Sequence, residues 1–280
     1  VDELMKISII VPYRERDQYL RVLVNQFSSQ QKFPQSDYEI IVVRLGGTQP
    51  TNIYNKPNIN IREIYVDYNG IFSRGYCCNV GAKQAKNEVI WFVDVDCIPH
   101  PFMLKIIQEN FSVNNPYFAI NVPVIFLNRI KTLEVFGKPT YTWDDYNTIK
   151  TSPRFWLKRK VSGTSQVCMH KENFISLGGV DEEFVGHGYE DMLLHDQIAS
   201  HLKTYWGRFP HNIEIVWSEK RDLVLTHLYH GERNRTSTYM SNYQKNLKYY
   251  RQRIGDNVMK NNVDLIWGSV DHPPGSNRLK

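Results

Sequence analysis

The sequence has no run of about twenty apolar residues, so no segment reads as a membrane-spanning helix. No stretch has the charged-then-apolar layout of a secretory signal. Cysteine is scarce: Cys77, Cys78, Cys97 and Cys168 are the four, and none forms a Cys-x-x-Cys pair. Vicinal cysteines seldom bridge, so a disulfide framework is excluded and a reducing compartment is expected. The basic excess is small, 34 Lys and Arg against 29 Asp and Glu, for a formal charge of +5 over 280 residues. No basic run with interleaved aromatics is present. These features exclude a nucleic-acid footprint and leave room for an anionic small ligand or an acidic membrane surface. Internal repeats and low-complexity tracts are also absent.

What is present suits a buried core: 41% hydrophobic and 13% aromatic residues. The length fits one large domain or a domain with an annex. Residues 6–12, 38–44, 60–66 and 89–93 read as apolar strands, and 16–30, 73–85 and 102–111 as helices. Strand alternating with helix predicts an α/β fold, a mostly parallel twisted sheet flanked by helices. Past residue 115 the rhythm changes. Residues 117–127 read as one strand, 128–160 as an irregular insertion or binding loop, and 167–177 as a segment stopped by Gly178-Gly179. Residues 190–202 and 238–254 read as helices around a strand at 223–228. Tyr239, Tyr243, Leu247 and Tyr250 share a helix face, which reads as packing. Residues 271–275 read as a loose tail.

Five clusters carry chemistry. An apolar strand ends abruptly in Asp94-Val95-Asp96. Open α/β sheets bind ligands at the carboxyl ends of their strands, where an Asp can reach a hard cation, as a diphosphate requires. The alternative is a turn with solvated carboxylates. The first strand ends in Pro12-Tyr13-Arg14-Glu15-Arg16, and Phe72-Ser73-Arg74 begins a helix that contains Asn79-Val80-Gly81. An aromatic and several arginines there can hold a base, a ribose or a phosphate, or simply form solvated helix starts. Gly186-His187-Gly188-Tyr189-Glu190-Asp191 brings glycines and two adjacent carboxylates to a helix N-terminus. One carboxylate can bind a sugar hydroxyl while its neighbour takes a proton, or both can be ordinary first-turn acids. His227 and His230 close a strand and can face one metal or be surface histidines. The polar, glycine-started segment 231–238, with Arg233 and Arg235, reads as a mobile lid.

In this order the clusters resemble the inverting β-1,4-galactosyltransferases of the GT-A fold and their bacterial relatives. The resemblance implies a nucleotide-binding half at 1–115, an acceptor and metal half at 116–255, and a tail at 256–280, in a single domain. Pro12, Tyr13, Arg14 and Arg16 would hold uridine, and Phe72, Arg74, Asp94 and Val95 would contact the donor. Asp96 and His230 would bind Mn²⁺ (or Mg²⁺), with His227, which stands in place of the family's methionine, as a further candidate ligand. Gly188, Tyr189 and Glu190 would position the acceptor, and Asp191 would be the base. The implied reaction moves galactose or N-acetylgalactosamine from a UDP-sugar to a glycan or glycolipid hydroxyl. Without the paired cysteines of the animal enzymes, a bacterial cytoplasmic transferase is expected, peripheral to the inner face of the membrane. The rivals are a retaining N-acetylgalactosaminyltransferase on the same fold and a catalytically silent sugar-binding module. The oligomeric state is not legible.

Overall fold

The structure is a computed structural model that describes residues 5–30, 33–49, 59–111, 119–152, 156–160, 166–206, 223–231, 237–256, 260–263 and 265–276, with backbone alone at 156–160, 201–206 and 237–238. Its central sheet has six strands in the order β3 (Ile61–Val66), β2 (Tyr38–Leu45), β1 (Ile7–Tyr13), β4 (Val89–Phe92), β9 (Val167–His170) and β6 (Ala119–Asn121). The first four run parallel, and β9 is antiparallel to both β4 and β6. The parallel strands read as unbroken apolar runs because helices cover both faces. Alternation then sorts each strand between two cores. Ile7, Ile9, Val11 and Tyr13 join Ile40 and Val42 on one face, while Ile10 joins Ile41, Val43 and Leu45 on the other.

Helix α1 (Asp17–Ser28) packs on the first face through Leu20, Leu23, Val24 and Phe27, the positions its helical spacing predicts. Helix α2 (Arg74–Gln84) lies on the second face, capped by the Ser73 side chain, which accepts from the Tyr76 amide. A Cβ on Gly81 would sit 2.3 Å from an Ile10 methyl, so this glycine sets the approach of α2 to the sheet. A four-stranded sheet, in the order β5 (Cys97–Ile98), β10 (Leu225–His227), β7 (Val124–Leu127) and β8 (Trp156–Lys160), meets the end of β4. The first core continues into it through Ile98, Val124, Ile125 and Leu225, so residues from both halves of the chain share one core. Helices α3 (Met103–Asn110), α6 (Lys171–Ser176), α7 (Glu190–Trp206) and α8 (Ser237–Gly255) complete the flanks.

Three expectations are corrected. Residues 119–127 form two strands, β6 and β7, because Pro123 interrupts the run and the two halves enter different sheets. The described residues of 128–160 are not irregular: they include α4 (Arg129–Phe136), α5 (Trp143–Thr151) and β8. Thr142 and Asp145 start α5 with a reciprocal capping box at its N-terminus. The stretch 271–275, expected to be loose, is anchored through Pro274 and through His272, whose Nδ1 lies 3.1 Å from Ser269 Oγ, and the residues before it are docked as well. Asn261, Asn262 and Pro274 are buried, and the Asn261 side chain donates to the Gly179 carbonyl at 2.7 Å. Tyr76 donates its hydroxyl to the Ser269 carbonyl at 2.5 Å, and Lys83 lies over the Trp267 ring. Among the described residues no helix is long and apolar enough to cross a membrane.

Candidate active site

A cleft of about 520 Å³ opens at the carboxyl ends of β1 and β4 and is lined from both halves of the chain. Pro12, Arg14, Arg16, Phe72, Arg74, Asp94, Val95 and Asp96 line it from the first half, and Glu190, Asp191, His227 and His230 from the second.

Strand β4 delivers the two aspartates. Asp94 is gripped on both oxygens: Arg74 Nε donates to one at 2.5 Å and Gln166 Nε2 to the other at 2.7 Å. The Asp94 amide in turn donates to the Gln166 side-chain carbonyl at 2.9 Å. Burial works against the Arg74 charge, but the Asp94 carboxylate beside it prevails and raises its pKa.

Asp96 is nearly buried and pairs with Arg16. His227 Nε2 lies 3.4 Å from one of its oxygens, and His230 Nε2 lies 3.5 Å from the other. Pairing of β10 with β5 sets His227 opposite Cys97, the neighbour of Asp96, and the Leu228 amide donates to the Asp96 carbonyl at 2.8 Å. Phe126 stacks on the His227 ring at 4.3 Å, and Tyr19 and Thr132 hold the backbone of Tyr229. These contacts fix a return of the chain that aims His230 at the same carboxylate. A carboxylate with two imidazole nitrogens suits a divalent cation, and two nitrogens shift the preference from Mg²⁺ toward Mn²⁺. The thiol of Cys97 falls within the same 4.8 Å span as Asp96 and His227. Burial pushes that thiol up in pKa, so it is not a ready thiolate.

The third element is the turn before α7. An isolated parallel bridge between Ser73 and Gly186 ties it to the start of α2. Gly186 and Gly188 have φ of +80° and +112°, and Tyr189 has φ of +73°. Glu190 is buried, and one of its oxygens accepts from the Gly188 amide at 2.8 Å. Burial, and then the neighbouring Asp191 charge, push the Glu190 carboxyl up to about 7.

Several expected residues do not line the cleft. Tyr13 is fully buried in the sheet core and its hydroxyl donates to Asp17, because its parity along β1 matches the inward Ile7, Ile9 and Val11. Tyr189 stacks on Tyr250 and donates to the Tyr243 hydroxyl, away from the cleft. Gly188 makes room for the Tyr243 ring, which a Cβ would approach to 2.8 Å. The Asn79-Val80-Gly81 segment serves packing: Asn79 donates to the Val180 carbonyl and to Glu182, each at 2.8 Å. Arg14 does line the cleft, but its guanidinium is spent on the carbonyls of Leu45, Tyr68 and Gly70. Residues 232–236 of the expected lid, with Arg233 and Arg235, lie outside the described residues, as do 161–165.

Gln166, Val124, Phe126 and Cys97, none of them expected at the site, also line the cleft, as do Gly186 and His187. His187 and Gly186 sit within a motif already singled out. Gln166 has no local signal, since its partner is 72 residues away.

Comparison with known proteins gives this geometry a context. A family model described as "Glycosyltransferase like family 2" matches residues 8–215. Human chondroitin sulfate N-acetylgalactosaminyltransferase 1 is 25% identical over 226 residues, covering 77% of this chain and 41% of the relative. Staphylococcus aureus TarS 1–349 in complex with UDP superposes with a TM-score of 0.50 at 19% identity, covering 81% of this chain and 59% of TarS 1–349. The mannosyltransferase PcManGT from Pyrobaculum calidifontis, in complex with GDP-Man and Mn²⁺, superposes with a TM-score of 0.52 at 11% identity, covering 91% of this chain and 65% of that one. The chain thus spans less than two thirds of the length of these proteins. The structural likenesses establish the GT-A fold expected from the sequence.

Proposed function

The chain belongs to the glycosyltransferase-like family 2, and on that footing we propose that it is a metal-dependent, inverting glycosyltransferase that moves a hexose or N-acetylhexosamine from a UDP-sugar to a glycan hydroxyl. Galactose and N-acetylgalactosamine are the favoured sugars, in keeping with the β-1,4-galactosyltransferase resemblance and with the human relative's name. The observation that carries the reading is convergence. The Asp94/Asp96 pair, the His227/His230 pair and the Glu190/Asp191 pair come from distant parts of the sequence and line a single cleft.

Asp96, His230 and His227 would hold Mn²⁺, or Mg²⁺ in its place. A cation there supplies positive charge for the leaving diphosphate. Arg74, braced by Asp94, presents a fixed charge toward the same end of the cleft. Asp94, paired with Arg74 and oriented by Gln166, accepts a hydroxyl of the donor. Phe72, Val95 and Pro12 form the apolar wall against which the nucleoside lies. Tyr13 acts only from beneath, by filling the core under Pro12.

Asp191 accepts the proton of the acceptor hydroxyl. The acceptor oxygen forms the new bond to the anomeric carbon as the bond to the UDP oxygen breaks, and configuration inverts. Glu190, whose pKa burial raises to about 7, donates a hydrogen bond to a sugar oxygen in its protonated form. A base in this position contributes typically 10²–10⁴-fold.

The experiment is a donor screen with product analysis. Under this reading one or more UDP-sugars are consumed with release of UDP, and the new linkage has the opposite anomeric configuration. Retention of configuration would favour the retaining rival. Binding of a sugar without turnover would favour a silent module.

A further inference from the structure

Between Asp145 and Glu172 the sequence has no carboxylate, while residues 150–160 contain Lys150, Arg154, Lys158, Arg159 and Lys160. Three of these lie on β8, the edge of the four-stranded sheet. The register places Lys158 opposite Phe126 and Lys160 opposite Val124. On its other side β7 pairs with β10, with Phe126 opposite His227 and Val124 opposite Leu225. Phe126, Val124 and His227 all line the cleft. One row across the sheet therefore reads His227, Phe126, Lys158. At a strand spacing of about 4.8 Å, the basic strand runs roughly 10 Å from the histidine strand.

The donor end has no need of this charge. Its arginines, Arg16 and Arg74, are already beside the cleft, each matched to an aspartate. We propose that the β8 border receives a polyanionic glycan, so that the acceptor carries carboxylate or phosphate groups along its chain. The inference rests on the glycosyltransferase reading and adds to it the chemical class of the acceptor. A run of like charge acts over about 8–10 Å at moderate ionic strength, which spans the distance from β8 to the histidine strand. Such a field raises the local concentration of an anionic polymer and speeds its association. Lysines on an edge strand also discourage pairing with other chains. That role alone would alter self-association and leave ligand charge irrelevant.

The test is fluorescence polarisation with labelled oligosaccharides, using the whole chain in the presence of Mn²⁺ and UDP. The probes are a hexuronate-containing oligosaccharide, the same oligosaccharide with its carboxylates reduced to alcohols, and a phosphodiester-linked polyol. The expected result is that at least one anionic probe binds about tenfold more tightly than the reduced one at about 50 mM salt, with the gap closing at about 500 mM. Which anionic probe wins distinguishes carboxylate from phosphate. The double variant Lys158→Gln/Lys160→Gln should lose the preference and keep wild-type affinity for UDP. Should that variant fail to fold, the salt dependence of the wild-type protein decides the matter. Equal binding of the reduced and both anionic probes, or a preference that survives in a folded variant, overturns the proposal. So does loss of binding to phosphatidylglycerol vesicles in the variant with oligosaccharide binding intact, which would assign the strand to a membrane surface. If UDP itself does not bind the wild-type protein, the glycosyltransferase reading fails instead.

Discussion

Gln166 holds Asp94 twice: its amide nitrogen donates to the carboxylate at 2.7 Å, and its carbonyl accepts from the Asp94 backbone amide at 2.9 Å. The pair closes a ring that fixes the carboxylate rotamer, and Arg74 fixes the other oxygen. Gln166→Leu removes both bonds with little change in volume. It should leave the fold intact and raise the donor KM by about tenfold, the worth of one or two charge-assisted hydrogen bonds. Steady-state kinetics with donor varied checks this. An unchanged donor KM would mean that Arg74 alone positions Asp94.

Asp96→Ala removes the carboxylate around which His227 and His230 gather. Turnover should fall by at least about a hundredfold. His230→Ala should weaken Mn²⁺ binding while the thermal midpoint stays close to wild type, since this residue is partly exposed and outside the core. Calorimetric titration of Mn²⁺ and thermal melts separate the two effects. Wild-type activity of both variants in trace metal would place the ion elsewhere.

Glu190 makes stability depend on pH. Its folded pKa is raised from the usual 4.5 to about 7, so the native state binds the proton more tightly than the unfolded chain. The contribution is fully present below pH 4.5 and is lost as pH rises through 7. Glu190→Gln keeps the neutral shape and cannot ionise. Relative to this variant, the wild-type protein should lose on the order of 2–3 kcal/mol between those limits. Urea unfolding across the range measures it, and parallel curves for the two proteins would show that Glu190 titrates normally.

The docked tail is testable through Asn261. Its side chain donates to the Gly179 carbonyl and to Gln197, and accepts from Gln197 and Arg253, all within 2.7–2.8 Å. Asn261→Ala leaves several of these groups buried without partners and should cost about 2–4 kcal/mol. A loose tail would show almost no change in the urea midpoint.

The sequence made the parallel strands legible because burial on both faces leaves unbroken apolar runs, as in Ile9-Ile10-Val11 and Val89-Ile90-Trp91-Phe92. The Asp-x-Asp, Glu-Asp and His-x-x-His clusters stood out for a related reason: each breaks an element end with polar residues. Helices α4 and α5 did not, since eight or nine residues give too few periodic positions. Their one local sign was the Thr142-x-x-Asp145 cap. Tyr13 was misplaced because a motif shows which residues are adjacent, while strand parity decides which side each faces. The Gln166–Asp94 ring and the tail's clasp on Gly178-Gly179 join residues that only the tertiary fold brings together, so no local pattern announces them.

The central claim is that this cleft passes a sugar from UDP to a hydroxyl with Asp191 as the base, and Asp191→Asn tests it most directly. The substitution keeps size and most hydrogen bonding but cannot accept the proton. With a UDP-sugar that the wild-type protein turns over, the variant should bind donor and Mn²⁺ with wild-type affinity and release UDP at least about a hundredfold more slowly. Wild-type turnover in this variant would contradict the account and pass the base role to another group, with Glu190 the first to examine.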